Sequence, residues 1–536
     1  LARLIFLLCG CYTFIRIILP RSVLRGAKEN FMNAKTRRAK KVYENTNRRL
    51  RALMLPFFLN GWEEEHMPPA AKPYRNKQLV ELSSMEYEIH TGKSYKNSIE
   101  TLYADRDSLD PVLRHEVEEA KLVSDKLAKI PKDEYLAYQN VLLECYPENF
   151  VRAKTTGDFS IVKPYFKKIL EYNRKYVGWE QTESIKGYDV LLDEYERGMT
   201  ADKYDEFFNL IKSELVPFIK KVLAAQKPVH PAFTARTFPA EKQKAFCEYL
   251  RGVMLFDKDK TMMGESEHPY TNNNGNCDVR ITNHYYENAL ASAIFSAIHE
   301  MGHGLYELQV ADGLQDTMSG GGVSMAMHES QSRFFENNVG RSREFWQRHF
   351  PVLKSIFAEE LEGVELDDFL LYINRAEAGF IRTEADELTY PLHVLIRYEI
   401  EKGMFNGTID EENVERVWNE KYKEYLGLDV PDAGKGVVQD MHWYGGSIGY
   451  FPTYALGSAY AAQILAAMNR DFDVYSAMGE ENVGKIAAWL KEHIHKYGSS
   501  KAPSEIFENA VGAPFDPHYY IDYLKSKYSR LCGITI

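Results

Sequence analysis

The residues with the plainest chemistry in this chain lie in AIHEMGHGLYEL, Ala297 to Leu308, where His299 and His303 stand four positions apart. On a helix that spacing puts both imidazoles on one face, a turn apart, where they can share one metal ion. Glu300 lies between them, placed to take a proton from a water activated at that ion. Short matches of this kind arise by chance on amphipathic helices. Here the pair follows the apolar run ENALASAIFSAIHE and precedes Gly302 and Gly304, a context that makes chance a poorer explanation.

A catalytic zinc usually takes three protein ligands and keeps one position open. A third histidine a few residues on is excluded, because Tyr306 and Gln309 hold the corresponding positions. A carboxylate on a following helix is the next possibility. The segment VSMAMHESQSRFFENN offers Glu329, after His328 and ahead of Phe334 and Phe335. The Gly-rich stretch GLQDTMSGGGVS before it can turn the chain back, so that two helices lie side by side. Glu329 is therefore the expected third ligand. Glu307 and Glu336 are read as solvated helix charges or as groups behind the ligands. Neighbours on a helix point about 100 degrees apart. His328 therefore cannot face the metal from the same turn as Glu329, and is expected to pack or to support a ligand.

The elements that must position these residues are helical. Pro111 to Ala128, Lys132 to Leu143, Val162 to Val177, Ala201 to Ala225 and Phe369 to Ala378 repeat apolar residues at intervals of three and four. No short period recurs, which excludes a repeat solenoid. The exception is Arg251 to Tyr286, where RGVMLFD, a polar loop around TNNNGNCD and the alternating DVRITNHYY predict short strands or a hairpin leading into the zinc helix. An exposed edge of such a sheet can hold a peptide backbone in extended form. The expected fold is mainly α: a single large helical body over 32–536, with a deep active-site groove and a small β-sheet beside the zinc helix.

The chain has 536 residues, 45% of them hydrophobic, enough to bury a large core. A net charge of -11, with basic residues scattered, argues against nucleic acid as the main partner. The six cysteines, Cys9, Cys11, Cys145, Cys247, Cys277 and Cys532, show no paired spacing beyond the first two, which predicts a reducing, cytoplasmic setting without structural disulfides. The apolar stretch LIFLLCGCYTFIRIILP is interrupted by Arg16 and is shorter than a comfortable membrane span. Residues 1–31 are expected to be an extension outside the working fold, with a signal or anchor as the alternative. No stable membrane association is expected.

Six blocks stand in order along the chain: His268-Pro269-Tyr270, Asp278-Val-Arg280-Ile-Thr282, His299-Glu-Met-Gly-His303, His328-Glu329-Ser-Gln331, Ile381-Arg382-Thr-Glu-Ala-Asp386 and Gly436-Val-Val-Gln439-Asp440-Met-His442-Trp443. Through them the chain resembles the carboxypeptidase Taq family of metallocarboxypeptidases, from about Met32 to the C-terminus. The family usually has Phe where Tyr270 stands. The resemblance implies a mostly helical homodimer that removes single residues from the C-termini of peptides. It also implies His299, His303 and Glu329 as metal ligands and Glu300 as the catalytic residue. His442 and Tyr454 are candidates to stabilise the oxyanion, by resemblance and residue type. The alternative is an aromatic core segment with satisfied polar tips. His268 joins the substrate-binding candidates through its block.

A carboxypeptidase must also recognise a free α-carboxylate, most economically with a guanidinium that bonds both oxygens. Arg382 is the first choice, with Glu384, Asp386 and Glu387 as carboxylates that could hold it in place. The alternative is an ion pair inside a helix contact. Arg280 is expected to bind substrate backbone or brace the site, and Arg397 to be a solvated or interhelical charge. Asp278 and Asp386 are candidates to orient a metal-bound histidine. Two histidines and one carboxylate suit Zn2+ best, with Co2+ or Mn2+ able to occupy the same site. The competing readings are a helical zinc oligopeptidase that cuts internal bonds and a catalytically dead scaffold. The presence of all three proposed ligands and the base argues against the scaffold.

Overall fold

The structure, a computed structural model, describes residues 32–63, 67–481 and 483–535. The predicted N-terminal extension over 1–31 lies outside the described residues. The described residues are 68% helical and hold one small three-stranded sheet, as the periodicity predicts. The helices Pro111–Lys129, Lys132–Glu144 and Lys163–Glu180 fall where the apolar spacing puts them. The segment predicted as one helix over Ala201 to Ala225 is two, Ala201–Leu210 and Val216–Ala225, joined by a wider turn at Ile211–Leu215. Pro217 follows that turn and has no N–H to give the carbonyl one turn back. The helix predicted from Phe369 instead runs Leu366–Ile373. It stops because the Asn374 amide turns onto Leu370 O at 3.0 Å and Arg341 O at 3.1 Å. Ala376 beyond it is held by Gln226 through its N–H and its carbonyl, both at 2.7 Å.

An N-terminal layer comprises α1 (Ala34–Glu63), α2 (Lys93–Ala104) and α3 (Pro111–Lys129). It has its own small core of Tyr43, Tyr95, Ile99, Leu102 and Val117, while one larger core runs from Cys145 to Tyr528. The end of α1 reaches the sheet, where Phe58 O accepts from the Asn272 amide at 3.0 Å and Gly61 O from the Tyr270 hydroxyl at 3.0 Å.

In the sheet, β3 (Val279–Asn283) lies between β1 (Thr261–Glu265), parallel to it, and β2 (Thr271–Asn273), antiparallel to it. Thr271 pairs with Ile281 and Asn272 with Arg280. The hairpin predicted around TNNNGNCD is present, but RGVMLFD is not a strand. Its first residues end the helix α4 (Ala240–Val253), and Leu255 at φ 57 turns the chain out of it. Arg251 then ties Phe256 O and Thr261 O together at 3.3 and 2.8 Å, so the first strand begins only at Thr261.

Behind the sheet lies α5 (Leu290–Gln309), whose residues are buried on nearly every side. The Gly-rich segment after it returns the chain to α6 (Met325–Arg333), capped by the Ser324 hydroxyl on Met327 N at 3.2 Å. Two further helices complete the surroundings: α7 (Tyr390–Asn406), which is buried all round, and α8 (Pro452–Asp471), which packs along α6. Two glycines set how closely these helices approach. A Cβ on Gly302 of α5 would stand 2.8 Å from Ser332 Cα, and one on Gly457 of α8 would stand 2.6 Å from Glu329 Cβ. Both distances are shorter than van der Waals contact, so only glycine lets α6 sit between its neighbours.

Candidate metal centre and its surroundings

His299 and His303 project from one face of α5, and Glu329 reaches them from α6. One ligand atom from each of the three lies within 4.8 Å of the others. Glu329 Oε2 stands 3.7 Å from His299 Nε2 and 3.4 Å from His303 Nε2. Three lone-pair donors converging at this spacing suit a cation shared between them.

The far side of each candidate ligand is engaged. His299 Nδ1 meets Glu336 Oε2 at 2.9 Å, and His303 Nδ1 meets His328 Nδ1 at 2.6 Å. His328 Nε2 in turn meets Glu307 Oε1 at 2.8 Å. Glu307 also accepts from Gly322 N at 3.0 Å and from the Asn273 amide at 2.9 Å. Such partners fix the tautomer that presents Nε2 to a metal. Glu336 is brought there by a wide turn, Phe334–Val339, that extends α6. Glu307 and Glu336 are thus buried groups behind the candidate ligands, not solvated charges. Asp278 and Asp386 do not serve in that role: Asp278 pairs with Arg280, and Asp386 accepts from Leu388 N, Thr389 N and Glu377 N.

Burial and charge tune these groups. Burial pushes the His303 pKa down to about 3, leaving a neutral ring with its lone pair available. Burial also opposes charge on His299, but Glu329 and Glu336 outweigh it and raise its pKa. Burial works against the ionised form of Glu329 too, yet Arg333 and His299 hold its carboxyl well below the usual range. Arg333 donates to Glu329 Oε1 at 2.7 Å and to Glu336 Oε2 at 3.0 Å. Glu300 is only 7% exposed, and burial raises its pKa. A raised pKa suits a carboxylate that must accept a proton and pass it on.

A description of the carboxypeptidase Taq (M32) metallopeptidases matches residues 57–528. The chain belongs to this family. Carboxypeptidase 1 of Bacillus subtilis is 38% identical over 459 residues, 85% of this chain and 91% of the relative. Thermostable carboxypeptidase 1 of Thermus thermophilus is 33% identical over 495 residues, 89% of this chain and 95% of the relative. The crystal structure of the M32 carboxypeptidase from Deinococcus radiodurans R1 superposes with a TM-score of 0.87 at 30% identity, over 92% of this chain and 99% of that one. This M32 protein is accordingly a metallocarboxypeptidase, and its substrates are peptides.

The remaining predicted site residues of the M32 chain fall into two groups. Arg382, 5% exposed, donates through Nε and Nη2 to Asp440 Oδ1 at 3.1 and 3.0 Å and through Nη1 to the Tyr390 hydroxyl at 3.0 Å. Its partner is Asp440, not Glu384, Asp386 or Glu387. Arg397, fully buried on α7, pairs with the other oxygen of Asp440, a loop residue, at 2.6 Å, so it is an internal ion pair and not solvated. Tyr454 of α8 lies under the Arg382 guanidinium, 4.7 Å from ring to carbon, and its hydroxyl meets His442 Nε2 at 3.1 Å. Burial and Arg382 push the His442 pKa down to about 3, so this ring is neutral.

Arg280 and His268 lie apart from that cluster. Arg280 is bidentate to Asp278 at 2.7 and 2.8 Å and stacks on Phe58 and Trp62 of α1, on the sheet face away from α5. His268 is exposed, with its carbonyl held by the Ser266 hydroxyl at 2.7 Å. Three further contributors, Arg333, Tyr390 and Thr271, lie outside the predicted site residues. Arg333 could have been found, because it stands one turn after Glu329 and one turn before Glu336. Tyr390 carries Arg333 over its ring at 3.9 Å and bonds Arg382 with its hydroxyl, linking the candidate metal ligands to the Arg382 cluster. Thr271, which bonds Glu300, carries no pattern that marks it.

Proposed function

We propose that His299, His303 and Glu329 hold a zinc ion and that Glu300 is the general base of a carboxypeptidase reaction. The convergence of the three side chains, with every outer nitrogen already engaged, carries this reading. Two imidazoles and one carboxylate suit Zn2+, and Co2+ or Mn2+ fit the same donors. A metal bound there supplies Lewis-acid polarisation of the scissile carbonyl and lowers the pKa of a water. Glu300 takes the proton of the attacking water and returns it to the leaving amine.

Arg382 is the proposed grip on the substrate's α-carboxylate. Of the five N–H groups of a guanidinium, two remain beyond the bonds to Asp440 and Tyr390, one on each Nη nitrogen. Asp440 and Tyr390 fix its plane, and the Tyr390 link to Arg333 sets it beside the metal ligands. The Tyr454 hydroxyl, which bonds His442 and Tyr450, is the donor assigned to the developing oxyanion, turning its hydrogen from Tyr450 as charge appears. Arg280 and His268 contribute through the sheet and its approach, Arg280 by bracing β3 against α1. The edge strand β2, next to the zinc helix, offers backbone groups to an extended peptide.

The reading extends to the whole chain as one helical metallocarboxypeptidase unit over 32–536, and to a homodimer, which rests on family membership. A reducing, cytoplasmic setting is part of the same reading and rests on the scattered cysteine spacing. No described helix is long and apolar enough to cross a membrane. Incubation of one peptide as free acid and as amide tests the central activity. A ladder of single-residue losses from the acid alone is expected, and internal cuts in both peptides would instead favour the oligopeptidase reading.

A further inference from the structure

Glu300 carries the proton in the reading above, yet its carboxylate is buried and needs something to aim it. A glutamate side chain has three rotatable bonds, and the outer one is broad and roughly two-fold. Among the described residues one side chain bonds this carboxylate. Thr271 Oγ1 lies 2.5 Å from Glu300 Oε2 and 3.1 Å from the backbone oxygen of the same residue.

The sheet places Thr271 there for a simple reason. Successive residues of a strand point to opposite faces. Asn272 of β2 turns to α1, where it bonds Phe58 O, and Thr271 therefore turns to α5. The β-branch of threonine stiffens χ1, so the hydroxyl direction is set once the strand is set.

We infer that Thr271 is a positioning residue for peptide hydrolysis: it pins Oε2 of Glu300 and leaves Oε1 to face the attacking water. The inference rests on Glu300 being the base. The hydroxyl has one hydrogen and two acceptors in reach on Glu300. While the carboxylate is ionised, Thr271 donates to Oε2. Once Glu300 holds the water's proton on Oε1, the bond to Oε2 persists or the hydrogen turns to the backbone oxygen. The same contact thus serves both halves of the reaction without moving a heavy atom.

The test is a cycle of Thr271→Val and Glu300→Gln, with Thr271→Ser as the conservative partner. Thr271→Val is expected to lower kcat about 10- to 100-fold, the scale of a misaimed catalytic group. KM and bound metal should be unchanged, and Thr271→Ser should recover most of the rate. In the Glu300→Gln background Thr271→Val should cost little more, because a residue that acts through Glu300 has nothing left to position. A Thr271→Val enzyme within twofold of the parent kcat would overturn the inference. So would a full further loss in the Glu300→Gln background, or a loss that Thr271→Ser does not rescue. If Thr271→Val does not fold, Thr271→Ala replaces it in the same cycle. Near-parental activity in Glu300→Gln alone would sink the reading of Glu300, and is scored separately.

Discussion

His303 Nδ1 and His328 Nδ1 face each other at 2.6 Å, so one of these two ring nitrogens must carry the hydrogen between them. If Nε2 of His303 is to give its lone pair to a metal, the hydrogen sits on its Nδ1. His328 then accepts at Nδ1 and donates from Nε2 to Glu307, 2.8 Å away. His299 is backed directly by Glu336, whereas His303 is backed by an imidazole with a carboxylate one step further on. The two proposed histidine ligands are thus supported unequally.

This arrangement predicts that His328→Ala weakens metal binding about 10- to 100-fold, the usual cost of losing a ligand's partner. With metal in excess, most of the activity should return. Titration in metal buffers, with kcat measured at saturation, separates the two effects. Unchanged metal affinity would remove His328 from this role.

Gly457→Ala should act on the same centre from the other side. The new methyl would lie 2.6 Å from Glu329 Cβ and 2.7 Å from its Cγ, so the ligand must move. The expected outcome is a folded protein that holds its metal at least tenfold more weakly, read by metal content after dialysis against a weak chelator. Overpacking of this kind also costs about 1 to 3 kcal/mol of stability, visible as a lower Tm.

Arg382→Lys keeps a positive charge but loses the planar fork. Asp440 remains paired with Arg397, so no buried charge is stranded. The substitution should lower kcat/KM for peptides with a free C-terminus about 10- to 100-fold, equivalent to one or two charge-assisted hydrogen bonds. Steady-state kinetics on a dipeptide series checks it, and an unchanged kcat/KM would assign Arg382 to packing.

Glu401 gives a pH prediction away from the metal. It is fully buried on α7 and accepts from Trp443 Nε1 at 2.6 Å, Gly449 N at 2.9 Å and Tyr188 at 2.5 Å. Burial raises its pKa from 4.5 to about 7. The folded chain therefore holds a proton that the unfolded chain releases. Its contribution is fully present below 4.5 and is lost as pH rises through about 7. The loss amounts to roughly 3 kcal/mol. Glu401→Gln removes that part of the slope, so Tm of the variant should fall less between pH 5 and pH 8 than Tm of the parent.

Much of this is legible in the sequence. The spacing of His299 and His303, and a carboxylate after a Gly-rich return, fix local geometry, and local geometry survives folding. What was not readable depends on distant packing. Asp440 lies 58 positions from Arg382, whereas Glu384, Asp386 and Glu387 are near it in sequence, and Asp386 and Glu387 are held by other partners. The strand predicted at RGVMLFD failed because seven residues are too few to tell a helix end from a strand. Thr271 was invisible because a threonine on a short strand is ordinary. Only the register of β2 against β3 turns it toward Glu300.

The most direct test of the account is Glu300→Gln, assayed for bound metal and for release of C-terminal residues from one peptide. The account predicts a metal content equal to that of the parent, with kcat lower by several orders of magnitude. Trimming at the parental rate would contradict it, since the proton would then be travelling by another group.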